Sequence, residues 1–380
     1  MPNPALFHII MTMPPDSFDV AIHQTPPPFI KVSGSHRQIG RQIGEACARQ
    51  VKHSLENARM LIQSASNVLE LTWDGAINQA RKYMPFAQER YPQYVEEILG
   101  IAEGAGVNFD DVAVLNAMEA VTMDALHLTK CTSFAVNGER TADEHVLVAH
   151  NEDWLPEDEE DVYIVHVSPD DEPPFLAMTY GGLIPNVGFN AYGIAQCCDS
   201  VYPSDSRIGI PRLVVSRAVL ATRSPSDAIR RCLLPRRAAG YNHLIAHESG
   251  ELYNVEVSAR SFAILYAEES YVIHTNHYLD FQMQAIETDP DELIGTRVRY
   301  FRALRLLKQT PKHSVRSLQE IQRDHINLPS AICNHTDPQY DPLDREKTIN
   351  AIVMDLTARV MHIAWGNPCG NKYHTFYLDA

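Results

Sequence analysis

Apolar positions recur three to four residues apart over two long stretches in the first third of the chain. Ile39, Ile43, Ala46, Val51, Leu55 and Met60 fall mostly on one face of a helix expected from about His36 to Ala65, with Ser35 as its cap. Thr72 opens a second, through Ala76, Ala80, Met84, Phe86, Tyr94, Ile98 and Ile101, which Pro85 and Pro92 should break or kink. A third, short helix is expected over about Asp110–Leu126, after the punctuation of Gly104 and Gly106. Residues 1–28 are rich in proline, lack a period and read as an extended arm.

At Cys131 the period shortens. Cys131–Val136, Val146–His150, Val162–Val167, Phe175–Tyr180 and Gly193–Cys198 read as short strands. Helical patterns return at Pro211–Thr222 and Ser226–Leu234, and strands at Tyr241–His247, Glu251–Val257, Phe262–Ala267 and Tyr271–His274. Helices over about Asp291–Leu307 and Ser314–Arg323 precede the closing strands Ile349–Asp355, Val360–Trp365 and His374–Tyr377. Helices, then strands joined by short turns, then helices and strands again imply α+β layering with antiparallel sheets.

Composition narrows the function classes. The chain has 380 residues, 45% hydrophobic and 21% charged, enough to bury a core; fibrous and wholly disordered readings are excluded. A formal net charge of −16 argues against a nucleic-acid partner. No apolar run approaches the roughly 20 residues of a membrane span, so no membrane partner is expected either. Cysteines number seven, an odd count at irregular spacing, which fits a reducing compartment better than a disulfide framework. With no signal peptide read at the start, a cytoplasmic location is expected.

The residues with chemical potential cluster. A helical prefix ends and a strand begins at Lys130-Cys131. A buried strand cysteine is more often a small hydrophobe than a nucleophile. Here, though, a hairpin with Val146–His150 would return Asn151-Glu152-Asp153-Trp154 beside Cys131, giving a nucleophile an orienting carboxylate. His274-Thr275-Asn276-His277 ends another strand; Asn276 could donate to an oxyanion, or simply make a turn. The His274/His277 spacing lacks the companions of a zinc motif, and no metal is expected. Asp344-Arg345-Glu346-Lys347 reads first as a solvated charged turn. The run from Glu152 to Asp161 holds seven carboxylates and reads as a solvated loop that could bias the site toward cations. Arg230, Arg231, Arg236 and Arg237 are the clustered cations that could grip phosphates. The neighbouring Cys197 and Cys198 read as strand packing.

Together these residues resemble the isopenicillin-N acyltransferase family, acyl-coenzyme A:6-aminopenicillanic acid acyltransferase and its relatives, from about Ile30 to Leu378. Gly34-Ser-His-Arg-Gln-Ile-Gly40 is similar to the family's first-helix motif. Arg90-Tyr-Pro-Gln-Tyr94 and Glu96-Glu-Ile-Leu-Gly-Ile-Ala-Glu-Gly-Ala105 are similar to its second. Cys131-Thr132 sits at its processing site, and Asn151-Glu152-Asp153 resembles its Asn-x-Asp segment. Gly188-Phe-Asn-Ala-Tyr-Gly193, Gly209-Ile-Pro211 and His274-Thr-Asn-His277 also match in order, and Arg345 falls at the spacing of a family arginine before Thr348 and Asn350.

The resemblance implies a four-layer αββα sandwich of the N-terminal-nucleophile hydrolase type, with 1–28 an extension, 29–130 a pro-segment and 131–380 the catalytic fragment. It implies a zymogen that cleaves itself between Lys130 and Cys131, its two fragments staying associated. Cys131 is then the nucleophile, Asn276 the oxyanion donor, and Asp153 and Arg345 the polar network at the α-amine. Ser258 would stand near the nucleophile, and Asn151 would tie the loop. The family carries glycine before its cysteine; this chain has Lys130, where strained backbone is harder to reach. Three functions follow. One is an amidohydrolase acting on a linear amide of a small amine-bearing substrate, with no cofactor. Another is an N-acyltransferase with a coenzyme A thioester as co-substrate. The third is an uncleaved, catalytically silent binding protein.

Overall fold

The computed structural model describes residues 20–65, 71–118, 130–288, 293–336 and 345–379. Strand β1 (Phe29–Gly34) leads into Ser35, whose side chain accepts from the Gln38 N–H and closes a capping box on α1 (His36–Ala46). The long first helix expected from the periodicity is in fact two: the chain turns at Cys47 and resumes as α2 (Ala48–Ser64). Thr72 caps α3 (Trp73–Arg90), which runs through Pro85 without stopping. The break comes at Tyr91, held at φ −138° and ψ 60° before Pro92 opens α4 (Pro92–Ala105). Steric pressure from a proline on the residue before it explains that position. Helix α5 (Phe109–Met118) covers the first half of the third expected helix; residues 119–126 lie outside the described residues.

The remaining elements are β2 (Lys130–Val136), β3 (Leu147–Trp154), β4 (Val162–Pro169), β5 (Phe175–Tyr180), β6 (Val187–Asn190) and β7 (Ile194–Asp199). Then come α6 (Arg212–Val219), α7 (Pro225–Cys232), β8 (Tyr241–His247), β9 (Leu252–Val257), β10 (Phe262–Tyr266) and β11 (Tyr271–His274). The short α8 (Phe281–Gln284), then α9 (Ile294–Gln309), α10 (Val315–Gln322), β12 (Lys347–Asp355), β13 (Val360–Trp365) and β14 (Tyr373–Tyr377) finish the described chain.

Eight strands form one sheet in the order β1-β4-β5-β6-β7-β8-β9-β10, and six form another in the order β11-β2-β3-β12-β13-β14. Pairing is antiparallel except for β1, which lies parallel to β4. The sheets face each other through β2 on β7 and β8, and β11 on β8 and β9. Helices α1, α2, α6 and α7 cover the outer face of the larger sheet, and α9 and α10 that of the smaller. The fold is thus an α+β, four-layer αββα sandwich. Strands β1 and β6 were not expected from the sequence; β1 follows the proline-rich arm, and β6 has only four residues. Among the described residues no helix is long and apolar enough to cross a membrane.

Helices α1 and α4 cross at very short range. A Cβ on Gly40, Gly44, Gly100 or Gly104 would stand 2.1–2.3 Å from a backbone oxygen of the facing helix. The crossing also buries Glu97, which accepts from Arg217 (Nη2–Oε1 2.7 Å, Nε–Oε2 3.0 Å) and lies 2.7 Å from His36 Nδ1. The motifs around Gly40 and Glu97 therefore serve this packed, charged junction with α6.

Candidate active site

The hairpin of β2 and β3 puts Lys130 opposite Asp153, Cys131 opposite Glu152 and Thr132 opposite Asn151. On the other side β11 pairs with β2, His274 opposite Ser133, and so carries Asn276 past the strand end to Cys131. The Cys131 backbone N–H donates to Asn276 Oδ1 at 2.8 Å. Its carbonyl accepts from Arg299 Nη1 at 2.6 Å. Arg299 Nη2 also donates to Asn276 Oδ1 at 2.8 Å, while Asn276 Nδ2 donates to the Ser200 carbonyl at 3.1 Å. Cys131 is 2% exposed and Arg299 1%. An asparagine and a guanidinium thus clamp the peptide units of a buried cysteine.

Three carboxylates, Glu152, Asp199 and Asp153, act on the Cys131 thiol. Glu152 Oε2 lies 2.8 Å from His150 Nε2, and His150 Nδ1 lies 2.9 Å from Ser133 Oγ. Ser133 donates onward to Asp199 Oδ1 at 2.7 Å. Sγ of Cys131, a ring nitrogen of His150 and an oxygen of Glu152 all lie within 4.8 Å of one another. Both His150 nitrogens already have partners, so the histidine orients Glu152 and Glu152 is the group left to face the thiol. Burial, then the charges of Glu152, Asp199 and Asp153, push the Cys131 thiol well up from its ordinary range. It is therefore protonated and needs a base to react.

Asp153 is fully buried, accepts from Thr348 Oγ1 at 2.5 Å and keeps Oδ2 without a partner. Burial pushes it up to about 7, against the pull of Arg299 and Thr348. Glu346, 3.4 Å from Lys130 Nζ, is pushed by burial up to about 8.

The other expected site residues are placed as follows. Asn151 Nδ2 donates to the carbonyls of Gln322 (3.1 Å) and Ile332 (2.8 Å), tying β3 to the loop before β12. Ser258 donates to Asp205 Oδ2 at 2.8 Å and accepts from the N–H of Ser261 at 2.8 Å, a turn-making arrangement after β9. Arg345 is half-buried beside Glu346, just before β12; Arg299, from α9, also brings a guanidinium to this region and reaches the Cys131 carbonyl. His274 Nε2 lies 2.9 Å from Glu256, and His277 Nδ1 3.1 Å from Thr296 Oγ1, so neither histidine sits in an exposed turn. Arg299, Glu152 and His150 were missed as site residues. For Arg299 a signal existed: with Thr296, Ala303 and Leu307 it lies on the buried face of α9, the wrong face for a solvated arginine.

The acidic run is not the solvated loop expected. Asp158 accepts from Asn57 Nδ2 (2.8 Å) and Trp154 Nε1 (2.6 Å), Asp161 lies 2.9 Å from His53, and Glu159 pairs with Lys347. Asp158, pushed by burial up to about 6, lines an apolar cavity of about 30 Å³ with Leu61, Leu115, Trp154, Tyr180 and Leu213. That cavity shares Tyr180, Leu183 and Leu213 with one of about 20 Å³ at Cys131 and Glu152. The second holds roughly one water. The Arg pairs are not a free phosphate grip: Arg237 donates to the backbone of Ser258, Leu234 and Ser261, Arg236 pairs with Glu89, and Arg231 with Asp227.

A buried cysteine between two β-sheets, clamped by Asn276 and Arg299 within a four-layer αββα sandwich, has the architecture of the N-terminal-nucleophile class of hydrolases and acyltransferases. The model of the acyl-coenzyme A:6-aminopenicillanic acid acyl-transferase family matches residues 140–369, and the chain belongs to that family of enzymes, which act on amide bonds by hydrolysis or acyl transfer. A relative from Emericella nidulans, an acyl-coenzyme A:6-aminopenicillanic-acid-acyltransferase 40 kDa form, is 25% identical over 355 residues, covering 92% of this chain and 95% of its own. The Drosophila melanogaster beta-alanyl-dopamine/carcinine hydrolase is 25% identical over 223 residues, 53% of this chain and 56% of its own. Among solved structures, Agrobacterium tumefaciens penicillin V acylase is 15% identical with a TM-score of 0.42, covering 62% of this chain and 83% of its own. A variant of Clostridium perfringens conjugated bile acid hydrolase is 12% identical with a TM-score of 0.45, covering 66% and 97%.

Proposed function

We propose that the chain cuts itself between Lys130 and Cys131 and then hydrolyses a linear amide of a small, amine-bearing substrate through an acyl-Cys131 intermediate. The observation that carries this is the clamp on Cys131 by Asn276 and Arg299, with the buried, half-unpartnered Asp153 opposite the neighbouring Lys130. In the first step the Cys131 thiol, its proton taken by Glu152 directly or through water, attacks the Lys130 carbonyl. The amide bond gives way to a thioester and the Cys131 nitrogen takes a proton. Water then releases the Lys130 carboxylate and restores the thiol. The freed α-amine, with a reference pKa of about 7.7–8.0, is partly neutral near pH 7 and serves as base for the next attack. Asp153 Oδ2 is the buried acceptor for that amine. In turnover Cys131 takes the substrate's acyl group, the amine product leaves, and water completes hydrolysis. Asn276 turns its amide N–H toward the developing oxyanion, with the Arg299 charge alongside.

Asp158 at the apolar cavity supports an amine-bearing substrate, since a carboxylate displaced upward to about 6 is charged near pH 7. Against coenzyme A stands the engagement of three of the four clustered arginines with protein groups. The acyltransferase alternative rests on the name of the Emericella relative. The experiment is to quench turnover of a panel of amine-bearing amides and acyl thioesters and to weigh the Cys131 peptide, with and without amine acceptors. An acyl adduct on Cys131 that decays to free acid is expected. Product that forms only with an amine acceptor would replace the hydrolase by the transferase. No adduct with any substrate would leave the silent binding protein.

A further inference from the structure

Four soft ligands meet away from the nucleophile. His325 follows α10, Cys333 and His335 lie in the segment leading to β12, and Cys369 lies in the turn between β13 and β14. Their ligand atoms all fall within 4.8 Å of one another. His335 Nε2 is the hub: His325 Nε2 stands 3.0 Å from it, Cys333 Sγ 3.5 Å and Cys369 Sγ 3.6 Å. One imidazole nitrogen offers one proton or one lone pair, so it serves one of those neighbours as a hydrogen-bond partner, not all three. A cation among the four satisfies them together.

We propose that His325, Cys333, His335 and Cys369 bind a structural Zn²⁺ ion. Zinc takes Cys sulfur at about 2.3 Å and His nitrogen at about 2.0–2.1 Å in a tetrahedron, which requires ligand-to-ligand edges of about 3.3–3.8 Å. The three separations around His335 lie close to those edges, and two thiols with two imidazoles are the donor set that selects zinc among divalent ions. The surroundings are those of a metal centre. Asn367 Nδ2 donates to Cys333 Sγ at 3.6 Å and to the Asn334 carbonyl at 2.7 Å, fixing the segment between two ligands. Cys333 and His335 are buried while His325 and Cys369 are half-buried, which leaves an access path. Four protein ligands close the coordination sphere, so the ion stabilises structure and does no chemistry on substrate. A hydrogen-bonded path leads from it toward the Cys131 site as far as Asp153. Asn334, between Cys333 and His335, donates its N–H to Thr348 Oγ1 at 2.9 Å, and Thr348 is the partner of Asp153. The other clusters are weaker: Asp143, His145 and Asp355 are rich in oxygen and partly exposed, and Cys131, His150 and Glu152 belong to the nucleophile.

The proposal does not depend on self-cleavage. Full-length protein, prepared without chelators or a metal-affinity tag, is assayed for metal by elemental analysis. The expected result is about one zinc per chain, kept in Cys131→Ala and lost in the Cys333→Ser/Cys369→Ser double variant. Chelation and reloading with Co²⁺ should give the visible bands of a tetrahedral, thiolate-ligated ion in the wild type and not in the double variant. Should the double variant fail to fold, His325→Asn retains three ligands and should yield its metal to a competing chelator at least about tenfold more readily. Zinc that survives loss of both cysteines overturns the proposal. So does a wild-type chain that holds no zinc and shows no thiolate–cobalt bands, whether its Cys333 and Cys369 are free or joined in a disulfide.

Discussion

Asn276 and Arg299 stand to Cys131 as two hands on one strand end, and each makes a separable prediction. On the proposed mechanism Asn276→Ala removes the oxyanion donor and should slow turnover by about a hundred- to a thousandfold, read as kcat at saturating substrate. Arg299→Lys keeps the charge but loses the bidentate reach, and should lower kcat with little change in KM. Protonation gives a further test, best made in the intact Cys131→Ala chain. Asp153 at about 7 and Glu346 at about 8 are both raised above their unfolded values of 3.8 and 4.5. Between those limits the folded chain binds more protons than the unfolded one, so these two groups make stability fall as pH rises from about 4 to about 8. Denaturant midpoints across that window should decline less steeply with Asp153→Asn and Glu346→Gln introduced together; an unchanged slope would refute the assignment. That Cys131, Asp153 and Asn276 meet at one strand end was legible in the sequence, because strand ends and a motif order marked them. Arg299 was not, because among the several arginines of α9 only its place on the buried face distinguishes it. The Cys333–Cys369 cluster escaped for a related reason: its residues come from two connections, α10 to β12 and β13 to β14, that meet only in the folded chain.

At the scale of elements, the expectation of helices was sound where an apolar face met the sheet, and boundaries failed where geometry overrode periodicity. The pattern runs unbroken across Cys47 because α1 and α2 both turn apolar faces inward, so a change of direction leaves no trace in spacing. Pro85 was expected to interrupt α3 and does not; Tyr91 yields instead. The carboxylates of 152–161 looked solvated because charge runs usually are, yet Asn57, Trp154, His53 and Lys347 wait for them on other elements. The α1–α4 crossing carries the sharpest test at this scale. The Cβ of Gly104→Ala would meet the Arg41 carbonyl oxygen at 2.1 Å, backbone that has no way to step aside. Overpacking of that kind should cost about 1–3 kcal/mol or more, seen as a lower denaturant midpoint at unchanged slope. Full wild-type stability would show that the helices are not so close.

The whole molecule makes the two sides of Lys130 inseparable. Strand β1 lies in the larger sheet beside β4, and α1, α2 and α4 pack on that layer or against helices that do. Arg217 of α6 reaches across to Glu97 of α4. A cut at Lys130 would therefore leave two fragments sharing one core and one buried ion pair, and they should co-elute until denatured. Opening the strand there would also free space beside a Cys131 cavity that now holds roughly one water, which links activation to substrate access. The central claim is that Cys131 first attacks its own chain. Its most direct test is the denatured mass of the purified protein after incubation, beside a Cys131→Ala control. The account predicts two masses, for residues 1–130 and 131–380, in the wild type and one full-length mass in the control. A single full-length mass in both, with turnover of an amide substrate or without it, would contradict it.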